Sequence, residues 1–192
     1  MYNSQFFGKI PSMASEFEGN INKQEENPLS CLTPRQQEVL GLMAQGFSNK
    51  TIAEMLLISE GTVLNHINEL YPRIGVSESS VNSRFDPRVK SVLLFQENTL
   101  EFKKPVDEYF GGNAITLLSP RRRDVVRLIG KGYSNQGIAQ ELKLSIKRVE
   151  NYINDAIGIL DLVDRQKYSV RVMLALASSN ETPSWRDSAC GP

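Results

Sequence analysis

The sequence predicts an all-α protein built from two copies of one helix-turn-helix unit, and three observations carry that prediction. Hydroxyl-proline pairs that start helices occur twice, as Thr33-Pro34 and Ser119-Pro120. The apolar residues that follow return at i, i+3 and i+4, the spacing of one helix face. Finally, the two stretches repeat one another at a single offset, with Thr33 and Ser119 lying 86 positions apart.

Residues 1–28 are polar and turn-rich, with Gly8, Pro11, Gly19 and Pro28 and an acidic run through Glu16, Glu18, Glu25 and Glu26. Such a segment buries too little surface to offset its chain entropy and is expected to be flexible. Tyr2, Phe6 and Phe7 are its exceptions, placed to dock on the body or on a partner. The first domain is assigned to residues 29–98. Thr33 caps its first helix, Pro34 takes the first helical position where no N–H is needed, and Gln36 is placed to complete a capping box. Val39, Leu42, Met43, Ile52, Leu56, Val63, Ile67 and Leu70 form the predicted core stripe. Pro72 is expected to kink or end the third helix near Tyr71. Residues 87–98, with Val89, Val92, Leu93 and Phe95, suit a fourth helix.

Residues 99–116 are expected to link the domains. The apolar Leu100, Phe102, Val106, Tyr109 and Phe110 suggest packing against a neighbour, and Gly111-Gly112-Asn113 is a breaker. The second domain is assigned to residues 117–178. Ser119 is placed to cap its first helix, and Val125, Leu128 and Ile129 mark one face. Gly132 ends that helix where a left-handed residue is wanted, and Ser134 restarts the chain with Ile138 and Leu142 inward. Ser145 caps a third helix whose apolar stripe is Val149, Ile153, Ile157 and Leu160, which leaves Lys147, Arg148, Asn151 and Asn154 outside. Two short helices joined by a tight turn, the second polar outward, make the shape of a major-groove reader. Residues 165–177 are expected to carry the fourth helix, and residues 179–192 form a tail in which Trp185 has no assigned role.

Leu32-Thr33-Pro34-Arg35 matches Leu118-Ser119-Pro120-Arg121, Gly46-Phe47-Ser48-Asn49 matches Gly132-Tyr133-Ser134-Asn135, and Ile52-Ala53 matches Ile138-Ala139. Ser59, Val63, Asn65, Ile67 and Asn68 match Ser145, Val149, Asn151, Ile153 and Asn154. Both copies resemble the DNA-binding domain of LuxR/GerE-type regulators, most clearly through Glu38-Val39-Leu40, Gly46-Phe47-Ser48-Asn49-Lys50, and Ser59 with Thr62-Val63 and His66. The fourth region of sigma factors is a similar but poorer match. The resemblance implies a tandem pair of four-helix LuxR-type domains, in which each third helix enters the major groove. It also implies a homodimer contact through the C-terminal fourth helix, weighed evenly against that helix only closing its own core.

Charge separates the copies. Residues 32–80 hold three basic residues against five acidic, and residues 118–166 hold nine against six. Lys and Arg supply affinity for phosphates, so the second copy is expected to be the stronger DNA binder. The candidate DNA-binding residues are Lys147, Arg148, Asn151, Asn154, Arg121, Arg122, Ser134 and Asn135 in the second copy. In the first they are Lys50, Thr62, Asn65, His66 and Asn68. Each third helix carries two Asn three apart, able to meet adenine in the groove. Departures from the family pattern are Gly61 and Leu64 in copy one, and Arg148, Glu150 and Tyr152 in copy two.

The expected function is that of a DNA-binding transcriptional regulator, acting on double-stranded DNA as an intrachain pseudo-dimer or a homodimer. The alternative is an adaptor in which one or both recognition surfaces bind RNA polymerase or another regulator, motivated by Gly61, Leu64 and the acidic balance of copy one. No enzymatic activity, cofactor or metal is expected, since one histidine and no phosphate loop or nucleophile-base pair leave no catalytic constellation. The chain carries equal numbers of acidic and basic residues, with no apolar run near the roughly 20 residues that span a bilayer and no signal peptide, so a cytoplasmic location is expected. No sensor domain is read ahead of the repeats, so a signal would come from a partner, from expression level, or from Cys31 and Cys190.

Overall fold

The computed structural model describes residues 27–76, 84–99, 114–162, 164 and 166–178. The expectations for the N-terminal segment up to residue 26, for the greater part of the linker, and for Cys190 and Trp185 fall outside them.

The described residues are helical and repeat one plan twice. In the first copy α1 (Pro34–Ala44), α2 (Asn49–Leu56) and α3 (Glu60–Arg73) are followed by α4 (Pro87–Glu97). In the second, α5 (Pro120–Gly130), α6 (Asn135–Leu142) and α7 (Ile146–Ile159) are followed by α8 (Val170–Ser178). Local chemistry sets the starts. The Thr33 hydroxyl accepts from the Gln36 N–H, and the Gln36 side chain accepts from the Thr33 N–H, so the predicted capping box is complete. Ser48, Ser59, Ser134 and Ser145 cap α2, α3, α6 and α7 with the first of these bonds alone, each hydroxyl accepting from the N–H three residues on. Ser119 corrects its prediction. It stands at the cap position of α5 but makes no capping bond, because its hydroxyl accepts from Arg122 Nη1 at 3.0 Å.

Pro72 lies within the last turn of α3, which continues to Arg73. A proline there loses only one terminal bond, so α3 has the same length, 14 residues, as α7. The fourth helix of copy two begins at Val170, five residues later than expected, because residues 166–169 form a separate loop. Each copy also begins earlier than its text suggests. A single 3-10 turn precedes both first helices, Pro28–Cys31 in one and Ala114–Leu117 in the other, and buries Leu29 and Ile115 at equivalent places. The second of these turns takes in residues 114–116, the last of the stretch expected to link the domains.

The core follows the predicted stripes. Val39, Met43, Ile52, Val63 and Leu70 are buried, as are their counterparts Val125, Ile129, Ile138, Val149 and Ala156, and Leu42, Leu56, Leu128 and Leu142 are packed at its margin. Residues 172–177 of α8 are all buried within this chain, against α5, α4 and the 3-10 turn ahead of α5.

The two copies grip each other reciprocally. The loop entering α4 pairs with the turn between α5 and α6: the Asp86 N–H donates to Gly132 O (2.7 Å) and the Ser134 N–H to Arg84 O (2.9 Å). The loop entering α8 does the same to the turn between α1 and α2, with the Ser169 N–H donating to Gly46 O (2.6 Å) and the Ser48 N–H to Lys167 O (2.9 Å). Phe85 packs on Tyr133 and Tyr168 stacks on Phe47, with ring centroids 5.0 and 5.5 Å apart. Gly46 and Gly132 sit at φ 87° and 83°, and a side chain at either would strike the helix of the other copy, at Met173 or Lys90. Reciprocity of this kind defines a two-fold relation, here between halves of one polypeptide.

Candidate nucleic-acid interface

Each third helix is held with one side in its core and the other outward. On α7 the core takes Val149, Ala156 and Ile157, so Lys147, Glu150, Asn151 and Asn154 line up at i, i+3, i+4 and i+7 on the outer side, with Arg148 beside them. The Lys147 side chain is 81% exposed, and its ammonium lies 3.6 Å from the Glu150 carboxylate. Arg148, Asn151 and Asn154 are also exposed. On α3 the same positions hold Gly61, Leu64, Asn65 and Asn68, all exposed. Thr62 is half-buried and shares a hydrogen bond with the Ser59 hydroxyl at 2.8 Å, while His66 is half-buried between the two faces.

The other candidate residues separate into two groups. Lys50, at the start of α2, and Arg121, at the start of α5, are exposed, with Arg121 4.0 Å from Asp124. Arg122, Ser134 and Asn135 serve the interior of the chain. Arg122 donates twice to Asp155 on α7, at 2.8 and 3.1 Å. The equivalent strut in copy one joins the buried Gln36 to Glu69 at 3.2 Å, so this position ties the first helix of a copy to its third. Ser134 caps α6 and pairs with the Arg84 carbonyl, and Asn135 Oδ1 accepts from Arg171.

That last contact belongs to a group of residues that sequence reasoning missed. Arg88 of α4 donates to Asn49 Oδ1 (2.7 Å) and Phe47 O (2.9 Å), and Arg171 of α8 donates to Asn135 Oδ1 (2.6 Å) and to Tyr133 O. Each arginine fastens its fourth helix to the turn of its own copy, the same turn that the loop from the other copy grips. Asp86 caps α4 and pairs with Arg171 Nε at 2.9 Å. Burial pulls both guanidiniums below the usual arginine value; the charge of Asp86 opposes that for both, and Tyr71 also opposes it for Arg88. A signal for this joint exists in the text: Arg84-Phe85-Asp86-Pro87-Arg88 and Lys167-Tyr168-Ser169-Val170-Arg171 both read basic, aromatic, polar, any, arginine. Their offset is 83, so an alignment held at 86 passes over it.

The arrangement presents two outward helices on one chain, one of them cationic and amide-bearing. The profile of the bacterial regulatory proteins of the luxR family matches residues 30–83 and 116–168, more than half of the chain, and the chain belongs to that family. Both matched stretches end before α4 and α8 begin. Among individual proteins, the chain is similar to the DNA-binding transcriptional activator DevR/DosR of Mycobacterium tuberculosis, 30% identical over 79 residues, which are 41% of this chain and 36% of that one. It is similar to the nitrate/nitrite response regulator protein NarP of Escherichia coli, 52% identical over 52 residues, 27% of this chain and 24% of that one. The nitrate/nitrite response regulator homolog of Haemophilus influenzae is 43% identical over 74 residues, 38% of this chain and 32% of that protein. This chain thus spans about a quarter to a third of the length of these relatives. No solved structure matches it significantly. Among the described residues no helix is long and apolar enough to cross a membrane.

Proposed function

We propose that the chain is a DNA-binding transcription regulator that brings both halves of its reading surface on one polypeptide, with the second copy the stronger binder. The observation that carries this is the outer side of α7, where Lys147, Arg148, Asn151 and Asn154 stand exposed while the opposite side is core. Ammonium and guanidinium groups meet phosphates or guanine, and amides meet adenine. The relatives named as regulators and as a DNA-binding activator support the same reading. With the two copies facing each other about an internal two-fold, half-sites are expected about one helical turn apart, roughly 10 base pairs. Asn65 and Asn68, with His66 and Thr62 at the edge, would serve the first half-site. Arg121 and Lys50 lie exposed at helix starts, in reach of backbone phosphates, whereas Arg122, Ser134 and Asn135 would act by holding the helices in place.

Fluorescence anisotropy with mixed-sequence duplex, titrated between roughly 50 and 200 mM salt, tests the proposal, since each phosphate contact adds close to one unit of salt slope. The full chain is expected to bind and to weaken steeply as salt rises. Changing Lys147→Ala together with Arg148→Ala should lower the slope by about two. A folded chain that binds no duplex even at the lowest salt would contradict it. That outcome would favour protein docking on copy one, for instance to RNA polymerase or another regulator, because Met55 and Leu57 are 49% and 91% exposed there, where copy two has Glu141 and Lys143.

A further inference from the structure

The two reading helices are equal in length and register, and their outer positions agree at the last two places and differ at the first two. Asn65 and Asn68 stand where α7 has Asn151 and Asn154, whereas Gly61 and Leu64 stand where α7 has Lys147 and Glu150. Leu64 is 48% exposed on a helix that buries Val63, Ile67 and Leu70 beside it. Gly61, one turn earlier on the same side, leaves open space: a Cβ there would meet nothing closer than the Ser59 hydroxyl at 3.7 Å. Without a side chain at Gly61, the first turns of α3 can approach the floor of a groove more closely than those of α7, and the group that arrives there is an isobutyl side chain.

Leucine can neither donate nor accept a hydrogen bond. Set against a guanine, an adenine or a cytosine amino group, it would strip water from a polar edge and return nothing. The major groove offers one apolar group, the C5 methyl of thymine. Glu150, at the equivalent place on α7 and 3.6 Å from the Lys147 ammonium, has the opposite requirement, because a carboxylate needs a donor and gains nothing from a methyl group; the groove's base donors are the amino groups of cytosine and adenine. We infer that Leu64 is a specificity-determining residue that reads a thymine methyl, so that the chain selects an asymmetric two-part site: thymine where α3 enters, no such thymine where α7 enters, and similar adenine contacts beyond. This rests on the DNA-reading function proposed above and names the kind of sequence it takes.

The test begins with duplexes enriched from a random-sequence library by the full chain. Each thymine of the enriched site is then replaced by 2′-deoxyuridine, which removes the methyl and leaves every hydrogen-bonding group in place. One replacement, confined to one half-site, is expected to weaken binding about fourfold, the worth of one methyl group taken from water. Because Leu64 is exposed, Leu64→Ala should fold normally and lose that sensitivity while still binding. A site with the same bases in both halves, or one in which no uridine replacement matters, would overturn the inference while leaving DNA binding intact. Failure to enrich any duplex would instead remove the function on which it depends.

Discussion

Asp86 is the residue on which the joint between the copies turns. One carboxylate caps α4, pairs with Arg171 and lies within electrostatic reach of Arg88, while its counterpart Ser169 brings no charge. Replacing it removes a cap and leaves two buried guanidiniums short of negative charge. Asp86→Ala is expected to lower unfolding free energy by about 3 kcal/mol, read from the urea midpoint. A loss below about 1 kcal/mol would show that the ion pair is not what fastens the two copies. The readable residues of the candidate surface were those with an outward place in the helical period. Lys147, Arg148, Asn151, Asn154, Asn65 and Asn68 all stand exposed, because the spacing of their apolar neighbours decides the matter locally. Arg122, Ser134 and Asn135 were not readable in this sense. Whether an arginine or an amide faces solvent or a neighbouring helix depends on Asp155, Arg171 and Arg84, which lie 33, 36 and 50 positions away.

At the level of elements, each of the eight described helices follows a hydroxyl or acidic residue that the text displays, and α1, α5, α2 and α6 keep their predicted faces. What the text did not display was how the fourth helices are used. Their apolar residues suit an intermolecular contact equally well, and the one signature of the joint, the basic-aromatic loop that precedes each, repeats at an offset of 83 rather than 86. Gly137 tests this arrangement. It sits in the first turn of α6, where a Cβ would fall on the carbonyl of Arg84 in the gripping loop. Thr51, its counterpart in α2, instead donates its hydroxyl to the equivalent Lys167 carbonyl at 3.0 Å. Gly137→Ala should therefore destabilise the protein by about 2 kcal/mol or more through displaced backbone, against about 1 kcal/mol for the single bond lost in Thr51→Ala. Equal small effects at the two sites would mean that the loop does not bear on α6 as closely as described.

For the molecule as a whole, the consequence is that a single chain already contains the two-fold relation that other proteins obtain by pairing two chains. The joint uses both fourth helices, both turns and both entering loops, and residues 172–177 of α8 are buried within this chain. Two unlike reading helices fixed on such a body suit a site that is itself unlike in its halves. A homodimer would present each helix twice and would favour symmetry. The most direct test is the stoichiometry of the complex, measured by native mass spectrometry on the full chain with a duplex enriched from a random library. One chain per two-part site, and a monomer in the absence of DNA, is the expected result; two chains on the site, or a stable dimer without it, would contradict the account.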